Sequence, residues 1–124
     1  MNTILWICQI LLAIIFGYSG ITKGTLSQAK LLSMGQTGVQ GLSLPLMRFI
    51  GISEMLGMIG IIVPWLINVL PALTPFTALC FATINLLAAR VHYKLKENKT
   101  AFAHILMLLT GCFIAYFRFK ELYN

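Results

Sequence analysis

Residues 3–22 read TILWICQILLAIIFGYSGIT and contain no Asp, Glu, Lys or Arg. As an α-helix this stretch is about 30 Å long, enough to cross the hydrocarbon core of a bilayer. No basic residue precedes it and no small-residue cleavage site follows it, so we expect a retained span rather than a secretory signal. Similar apolar runs occupy about 45–66, 70–93 and 101–119. The pattern predicts an all-α fold, an integral membrane up-and-down four-helix bundle, with residues 1–124 as one domain.

The composition agrees with a membrane protein. Of 124 residues, 59% are hydrophobic and 10% are charged, and only three are acidic. A water-soluble domain of this size needs more charged side chains on its surface, so the lipid bilayer is the expected partner. The net charge of +6 does not indicate nucleic-acid binding, because the Lys and Arg residues stand at the ends of apolar runs instead of along a water-exposed face.

The distribution of basic residues predicts the orientation. Seven of the basic residues belong to the first and third loops and their flanks, whereas two lie on the side of the chain termini. The positive-inside rule therefore places loops 23–47 and 93–100 in the cytoplasm and both termini outside, in what we expect to be a bacterial cytoplasmic membrane. The seven are Lys23, Lys30, Arg48, Arg90, Lys94, Lys96 and Lys99, and the two are Arg118 and Lys120.

Most of the polar residues within the spans converge on the loop side of the predicted bundle. Glu54 lies nine residues past Pro45, about 13 Å along the helix axis, and Asn85 lies eight residues before Tyr93, about 12 Å from the same side. His104 is expected to be shallower. The predicted intramembrane polar cluster comprises Lys23, Arg48, Glu54, Asn85, His92 and His104.

Glu54 is the most informative member of this cluster. A carboxylate near the bilayer centre is unfavourable unless it is paired or protonated. It is therefore either a proton-transfer or ligand-binding group, or a structural partner for Lys23, Arg48 or His104; the spacing leaves both interpretations open. Small residues recur on one face of each span, which is typical of close helix contact, so we expect the polar groups to face the bundle interior.

Other patterns bear on chemistry and on the first loop. Cys8, Cys80 and Cys112 lie singly inside apolar runs, so we predict neither a disulfide framework nor a metal site. His92 is too close to a loop to pair with His104 as a haem ligand. Thr25 and Gln28 are expected to form a capping box for a short amphipathic helix in the first loop.

Several short motifs resemble the DoxX-like family of small four-span membrane proteins. They are YSGITK at 18–23, RFIGISEMLG at 48–57, GIIVP at 60–64, LPALTP at 70–75 and a basic loop after His92. The resemblance implies the four-helix bundle and recurring Lys, Arg and Glu positions, here Lys23, Arg48 and Glu54. It does not imply one activity. Members include a membrane subunit associated with thiosulfate:quinone oxidoreduction, methylamine-dehydrogenase maturation proteins, cargo receptors and receptor-assembly chaperones.

Two functions compete on these observations. The favoured one is a non-catalytic subunit, or an assembly or interaction protein, with a membrane-protein partner or a second copy, because the chain has no nucleophile–base pair, metal motif or cofactor fingerprint. The alternative is a membrane subunit of a redox system that binds a quinone or another lipophilic molecule, with Glu54 and His104 as hydrogen-bonding groups. A transporter or channel is less favoured, because one short bundle leaves little room for alternating access. Whether the chain is an enzyme stays open, and no bound cofactor is predicted beyond a possible quinone.

Overall fold

Five α-helices and one short 3₁₀ turn form most of the protein. The computed structural model describes residues 1–123, so Asn124 of the predicted domain lies outside them. The chain is 85% helical, and the described part has no strand. Helices α1, α3, α4 and α5 are each long and apolar enough to cross a membrane, which confirms the predicted all-α four-helix membrane bundle. The elements are α1 (Asn2–Thr25), α2 (Gln28–Ser33), the 3₁₀ turn (Thr37–Val39), α3 (Leu44–Ile67), α4 (Leu73–Lys94) and α5 (Asn98–Tyr123).

The helix ends follow from local chemistry. Ser43 caps α3, because its side chain accepts a hydrogen bond from the Leu46 backbone N–H, and Pro45 occupies the first turn, where its missing N–H has no cost. The third predicted run opened at residue 70, but α4 begins at Leu73. The difference arises because Asn68 and Leu70 adopt left-handed backbone angles, with φ of 56° and 48°, which end α3 and turn the chain.

Pro64 lies inside α3, close to its end. A proline has no N–H to donate to the carbonyl four residues earlier, and its ring disturbs the neighbouring bonds. In place of that donor, the Thr74 hydroxyl donates to the Gly60 carbonyl at 3.1 Å, and the Gln9 amide donates to the Ile61 carbonyl at 2.8 Å. Side chains from two other spans therefore satisfy the backbone that the proline exposes, as a membrane interior requires.

Glycine contacts organise the four spans into two pairs. In the α1/α3 pair, Gly20 and Gly51 meet so closely that a Cβ on Gly51 would lie 2.8 Å from the Gly20 carbonyl oxygen. In the α4/α5 pair, a Cβ on Gly111 would lie 2.8 Å from the Ala78 carbonyl oxygen. Without hydrophobic drive between helices in lipid, such backbone approach gives each pair its van der Waals contact.

The two pairs join in the middle of the bundle and at the end that holds the chain termini, here called the terminal end. Phe16 of α1 stacks on Phe81 of α4 with ring centroids 3.8 Å apart. Nearer the termini, the Arg118 side chain of α5 donates to the Gln9 side chain of α1 at 2.8 Å. The opposite end, where α1 and α4 finish and α3 and α5 start, is here called the loop end.

The α1–α3 connection packs as a small unit of its own at the loop end. Leu31 and Val39 of this connection form a small buried cluster with Met47 of α3. The Gln28 amide donates to the Val39 carbonyl at 2.7 Å. The predicted Thr25–Gln28 capping box is wrong, because the Ser27 side chain caps α2 by accepting from the Lys30 backbone N–H. Thr25 instead donates to the Ile21 carbonyl within α1.

Candidate functional site

Lys23 and Glu54 form an ion pair between α1 and α3. The Lys23 ammonium Nζ donates to Glu54 Oε1 at 2.9 Å. The Glu54 side chain is 2% exposed and that of Lys23 is 22% exposed. Of the three structural partners that the sequence allowed for Glu54, the structure selects Lys23. A buried carboxylate requires such a partner, because a lone charge in a low-dielectric interior is strongly unfavourable.

Arg48 lies beside this pair but does not bind Glu54. Its Nη1 donates to the backbone carbonyls of Lys23 at 3.0 Å and of Leu26 at 2.6 Å. These carbonyls belong to the end of α1 and the residue after it, where helical partners run out. Arg48 therefore acts as a cap for α1, and it fixes the backbone that carries Lys23.

Asn85 and His104 form a second polar contact, between α4 and α5. His104 Nδ1 lies 2.9 Å from Asn85 Oδ1, and Asn85 Nδ2 donates to the Phe81 carbonyl at 2.9 Å. His104 was predicted to be shallower than Asn85, whereas the two side chains touch. The difference arises because α5 starts at Asn98, three residues earlier than predicted, so His104 lies deeper in its helix.

His92 joins this cluster through ring stacking. Its imidazole lies parallel to that of His104, with an interplanar angle of 10° and centroids 5.0 Å apart. His92 Nδ1 in turn lies 2.7 Å from Glu97 Oε1. The Thr37 hydroxyl of the 3₁₀ turn donates to the same carboxylate oxygen at 2.7 Å. Glu97 thus links the α4–α5 loop to the α1–α3 connection.

Glu97 and Thr37 were missed by the sequence analysis. Glu97 lies among lysines in the third loop, a pattern that is typical of a solvated charged loop. The sequence feature that could have identified Glu97 is the scarcity of acidic residues, since the chain has three. Hydrogen bonds from His92 and then Thr37 hold the pKa of Glu97 below its ordinary value of 4.5. The carboxylate contacts therefore persist above pH 4.5 and weaken as the pH falls through the lowered pKa.

A cavity of about 680 Å³ lies between the two helix pairs at the loop end. Its walls are mostly aliphatic and aromatic, and the segment 35–42 of the α1–α3 connection forms part of its lining. Three of the six predicted cluster residues line it: Lys23, His92 and His104. Glu54 and Asn85 contact lining residues from behind, and Arg48 does not reach the cavity. Apolar lining residues from α1, α3 and α4 include Ile15, Phe49, Ile84, Leu87 and Ala88.

The chemistry that this arrangement supports is recognition of a lipophilic molecule with a polar head. Lys23 is a cationic hydrogen-bond donor, and each imidazole has one nitrogen beyond the one bound by a protein side chain. Within residues 1–123 no group of three or more His, Cys, Asp or Glu side chains could hold a metal ion. The three cysteines are free thiols and do not line the cavity.

A separate polar group at the terminal end was also missed. Arg118 is fully buried, donates to Gln9, and bonds to Asn2 at 2.8 Å and Glu121 at 3.0 Å. Its guanidinium lies 4.5 Å from the ring centroid of Trp65. The sequence signals were Gln9 inside an apolar run and Arg118 on the small-residue face of α5. Because Arg118 is far along α5 from the cavity, we assign it to holding the bundle together.

The sequence model of the DoxX-like family matches residues 7–116, nearly the whole chain. No curated protein and no solved structure matches it. The match covers all four spans, including every member of the Lys23–Glu54 and Asn85–His104 contacts.

Proposed function

The chain belongs to the DoxX-like family, and on that premise we propose that it is a membrane subunit that binds a lipophilic molecule of the quinone class between its helix pairs. The family includes members of several activities, so membership alone does not select this function. The cavity is the observation that carries the proposal. It is why we now favour the redox-linked alternative over a purely structural role.

The size and polarity of the cavity support a ligand of this class. Small-molecule sites have volumes of about 300–1,000 Å³, with mainly apolar walls and a few polar groups that orient the ligand. The cavity has about 680 Å³ and polar side chains from α1, α4 and α5. A ring-shaped head with oxygen atoms matches Lys23 and the two imidazoles, and an alkyl tail matches Ile84, Leu87 and their neighbours.

Each polar residue has a defined part in this proposal. Lys23 donates a hydrogen bond to a head-group oxygen, and Glu54 keeps the ammonium in position and balances its charge. His104 and His92 contact the head group, and Asn85 and Glu97 fix the orientation of their rings. Protein groups that are held in place before the ligand binds lose less entropy when it does, which raises affinity.

A bulky side chain that fills part of the cavity is expected to weaken ligand binding strongly. We expect Ala88→Phe to weaken binding of a decyl-substituted benzoquinone at least tenfold, because the phenyl ring occupies space that the head group or tail needs. Isothermal titration calorimetry of the purified protein in nanodiscs measures the affinity. The matched control is Leu86→Phe on the same helix, where the side chain is 55% exposed on the outer surface of the bundle and binding should be unchanged.

Two outcomes of this experiment would contradict the proposal. If the wild-type protein binds neither the benzoquinone nor its hydroquinone or phenol analogue above empty nanodiscs, the proposed function is wrong. If the two phenylalanine variants bind equally well, the ligand occupies another surface.

The orientation is a further part of the proposal. The seven-to-two distribution of basic residues favours loops 23–47 and 93–100 on the cytoplasmic side of a bacterial membrane. In a background without Cys8, Cys80 and Cys112, we expect Lys120→Cys to react with a membrane-impermeant maleimide on intact cells. Lys96→Cys should react only after permeabilisation, because the proposed topology places its loop in the cytoplasm. Both side chains are exposed in the fold, so the reagent can reach each position from its own side of the membrane. The reverse labelling pattern would invert the topology.

A role in assembly is the second candidate. A second groove of about 600 Å³ lies at the terminal end, and all of its lining side chains are apolar or aromatic, among them Phe76, Phe119 and Tyr123. Such a groove suits a partner helix or a second copy of the chain. The calorimetric experiment separates the two functions, because a protein that only holds partners would bind no benzoquinone.

A further inference from the structure

The proton position on His104 is fixed by its neighbour. Asn85 presents its Nδ2 to the Phe81 carbonyl at 2.9 Å, and a carbonyl only accepts hydrogen bonds, so the other amide atom must be the oxygen. That oxygen lies 2.9 Å from His104 Nδ1. Two acceptors do not bond to each other, so Nδ1 carries a proton. In the neutral ring, Nε2 is then a lone-pair acceptor.

The same reasoning applies to His92. An ionised carboxylate only accepts hydrogen bonds, and Glu97 accepts from Thr37 at 2.7 Å and from His92 Nδ1 at 2.7 Å. The proton of the neutral His92 ring is therefore also on Nδ1, and its Nε2 is also an acceptor. Two independent contacts, that of His104 with Asn85 of α4 and that of His92 with Glu97 of the α4–α5 loop, thus give the stacked rings the same tautomer.

Both Nε2 atoms remain available to a ligand. Within residues 1–123 neither forms a hydrogen bond, and neither is among the fully enclosed polar atoms without a partner. Both residues line the cavity. The position of Gly38 agrees with this, because a Cβ there would approach His92 Nε2 to 3.4 Å, and glycine leaves that space open.

We propose that the cavity selects the hydroxyl-bearing form of its ligand, a lipophilic phenol or hydroquinone, over the corresponding carbonyl form. This inference rests on the proposed function and specifies its ligand. A hydroxyl group donates to an imidazole Nε2 and accepts from the Lys23 ammonium, so it satisfies both kinds of protein group. A quinone carbonyl satisfies Lys23 alone and places its lone pairs against those of the imidazoles.

A ligand pair without redox chemistry tests the selection. Binding of 4-decylphenol and 4-decylanisole to the wild-type protein in nanodiscs is measured by calorimetry at pH 8, above the reference pKa of about 6.5 for a free imidazole. The methyl ether has a methyl group in place of the phenol's donor proton, so it can accept a hydrogen bond but cannot donate one. We expect the phenol to bind about five- to tenfold more tightly, the effect of one hydrogen bond to an otherwise unpaired acceptor.

Two histidine variants test whether the imidazole nitrogens of His92 and His104 are the acceptors of the phenol hydroxyl. In His104→Phe and His92→Phe the stacked ring is kept and the nitrogen is lost, so the preference for the phenol should shrink in at least one of them. Tyr93→Phe is the control, because Tyr93 is 70% exposed and lies outside the cavity. Nitrogen-15 spectra of the labelled wild-type protein report the tautomers directly, without dependence on how well the variants fold, and should show Nδ1–H for both rings.

Each result has one meaning. Equal affinity for phenol and ether, an Nε2–H tautomer at both rings, or undiminished selectivity in both histidine variants overturns the selection while leaving the binding function intact. Failure of the phenol, the ether and the benzoquinone to bind above empty nanodiscs overturns both proposals.

Discussion

Replacing Lys23 with methionine is expected to destabilise the fold by about 3–5 kcal/mol, the effect of leaving a buried charge without its partner. Glu54 is 2% exposed, and among residues 1–123 no other cation lies within hydrogen-bond distance of it, so its carboxylate would have to be protonated or drawn toward water. Glu54→Gln should destabilise less, about 1–2 kcal/mol, because Lys23 is 22% exposed and a glutamine oxygen still accepts a hydrogen bond. Unfolding in SDS followed by far-ultraviolet circular dichroism measures both.

The double variant is the control for this pair. Combining Lys23→Met with Glu54→Gln removes both charges, and it should be more stable than Lys23→Met alone, since no isolated charge remains. Equal stability of Lys23→Met and the wild type would show that Glu54 is not charged in the folded protein. Strictly additive losses in the double variant would show that the two side chains do not interact.

Gly51→Ala is expected to destabilise the α1/α3 pair by about 2–3 kcal/mol through overpacking. The added Cβ would lie 2.5 Å from the Gly24 backbone nitrogen and 2.8 Å from the Gly20 carbonyl oxygen. Neither atom belongs to a flexible side chain, so the helices must move apart. The displaced segment carries Lys23, whose carbonyl carbon is also 2.8 Å away. The variant should therefore also weaken benzoquinone binding in the calorimetric experiment.

Gly24→Ala is the matched control on the facing helix, one turn after Gly20 in the same contact. Its Cβ would meet only Met55 Cε, at 3.1 Å, and the tip of a methionine side chain can move aside. Alanine also favours the helix over glycine by about 0.5–1 kcal/mol. We therefore expect Gly24→Ala to be as stable as the wild type or slightly more stable. A loss for Gly24→Ala equal to that for Gly51→Ala would show that the cause is not the close backbone contact.

The sequence predicted the helices well because the membrane imposes a simple rule. A run such as residues 3–22, without charges, must satisfy its backbone internally and is long enough to cross. The alternation of spans then placed Lys23 and Glu54 at one end without any knowledge of packing. A connection between the second and third spans was predicted, but it was too short at its far end, since α4 begins at Leu73 instead of residue 70; left-handed backbone at Leu70 is not typical of leucine.

The details of the site depend on rotations and depths that the sequence does not contain. The spacing left Lys23, Arg48 and His104 as equal partners for Glu54, and the close Gly20–Gly51 approach is what brings Lys23 to it. Glu97 contacts His92 from the adjoining loop, and the folding of the α1–α3 connection adds a long-range contact with Thr37. The cavity itself has no sequence signature, since it is the space that two separately packed helix pairs leave between them.

The way those pairs are joined has a mechanical consequence. The aromatic stack of Phe16 on Phe81 and the Arg118–Gln9 bond act as a fulcrum, and the loop ends of the pairs are its arms, which the hydrogen bond from Thr37 to Glu97 links. Lateral pressure from the surrounding acyl chains acts on those arms with leverage. We therefore expect the width of the pocket to respond to the thickness and tension of the bilayer, so that the lipid helps to set how readily a guest is admitted.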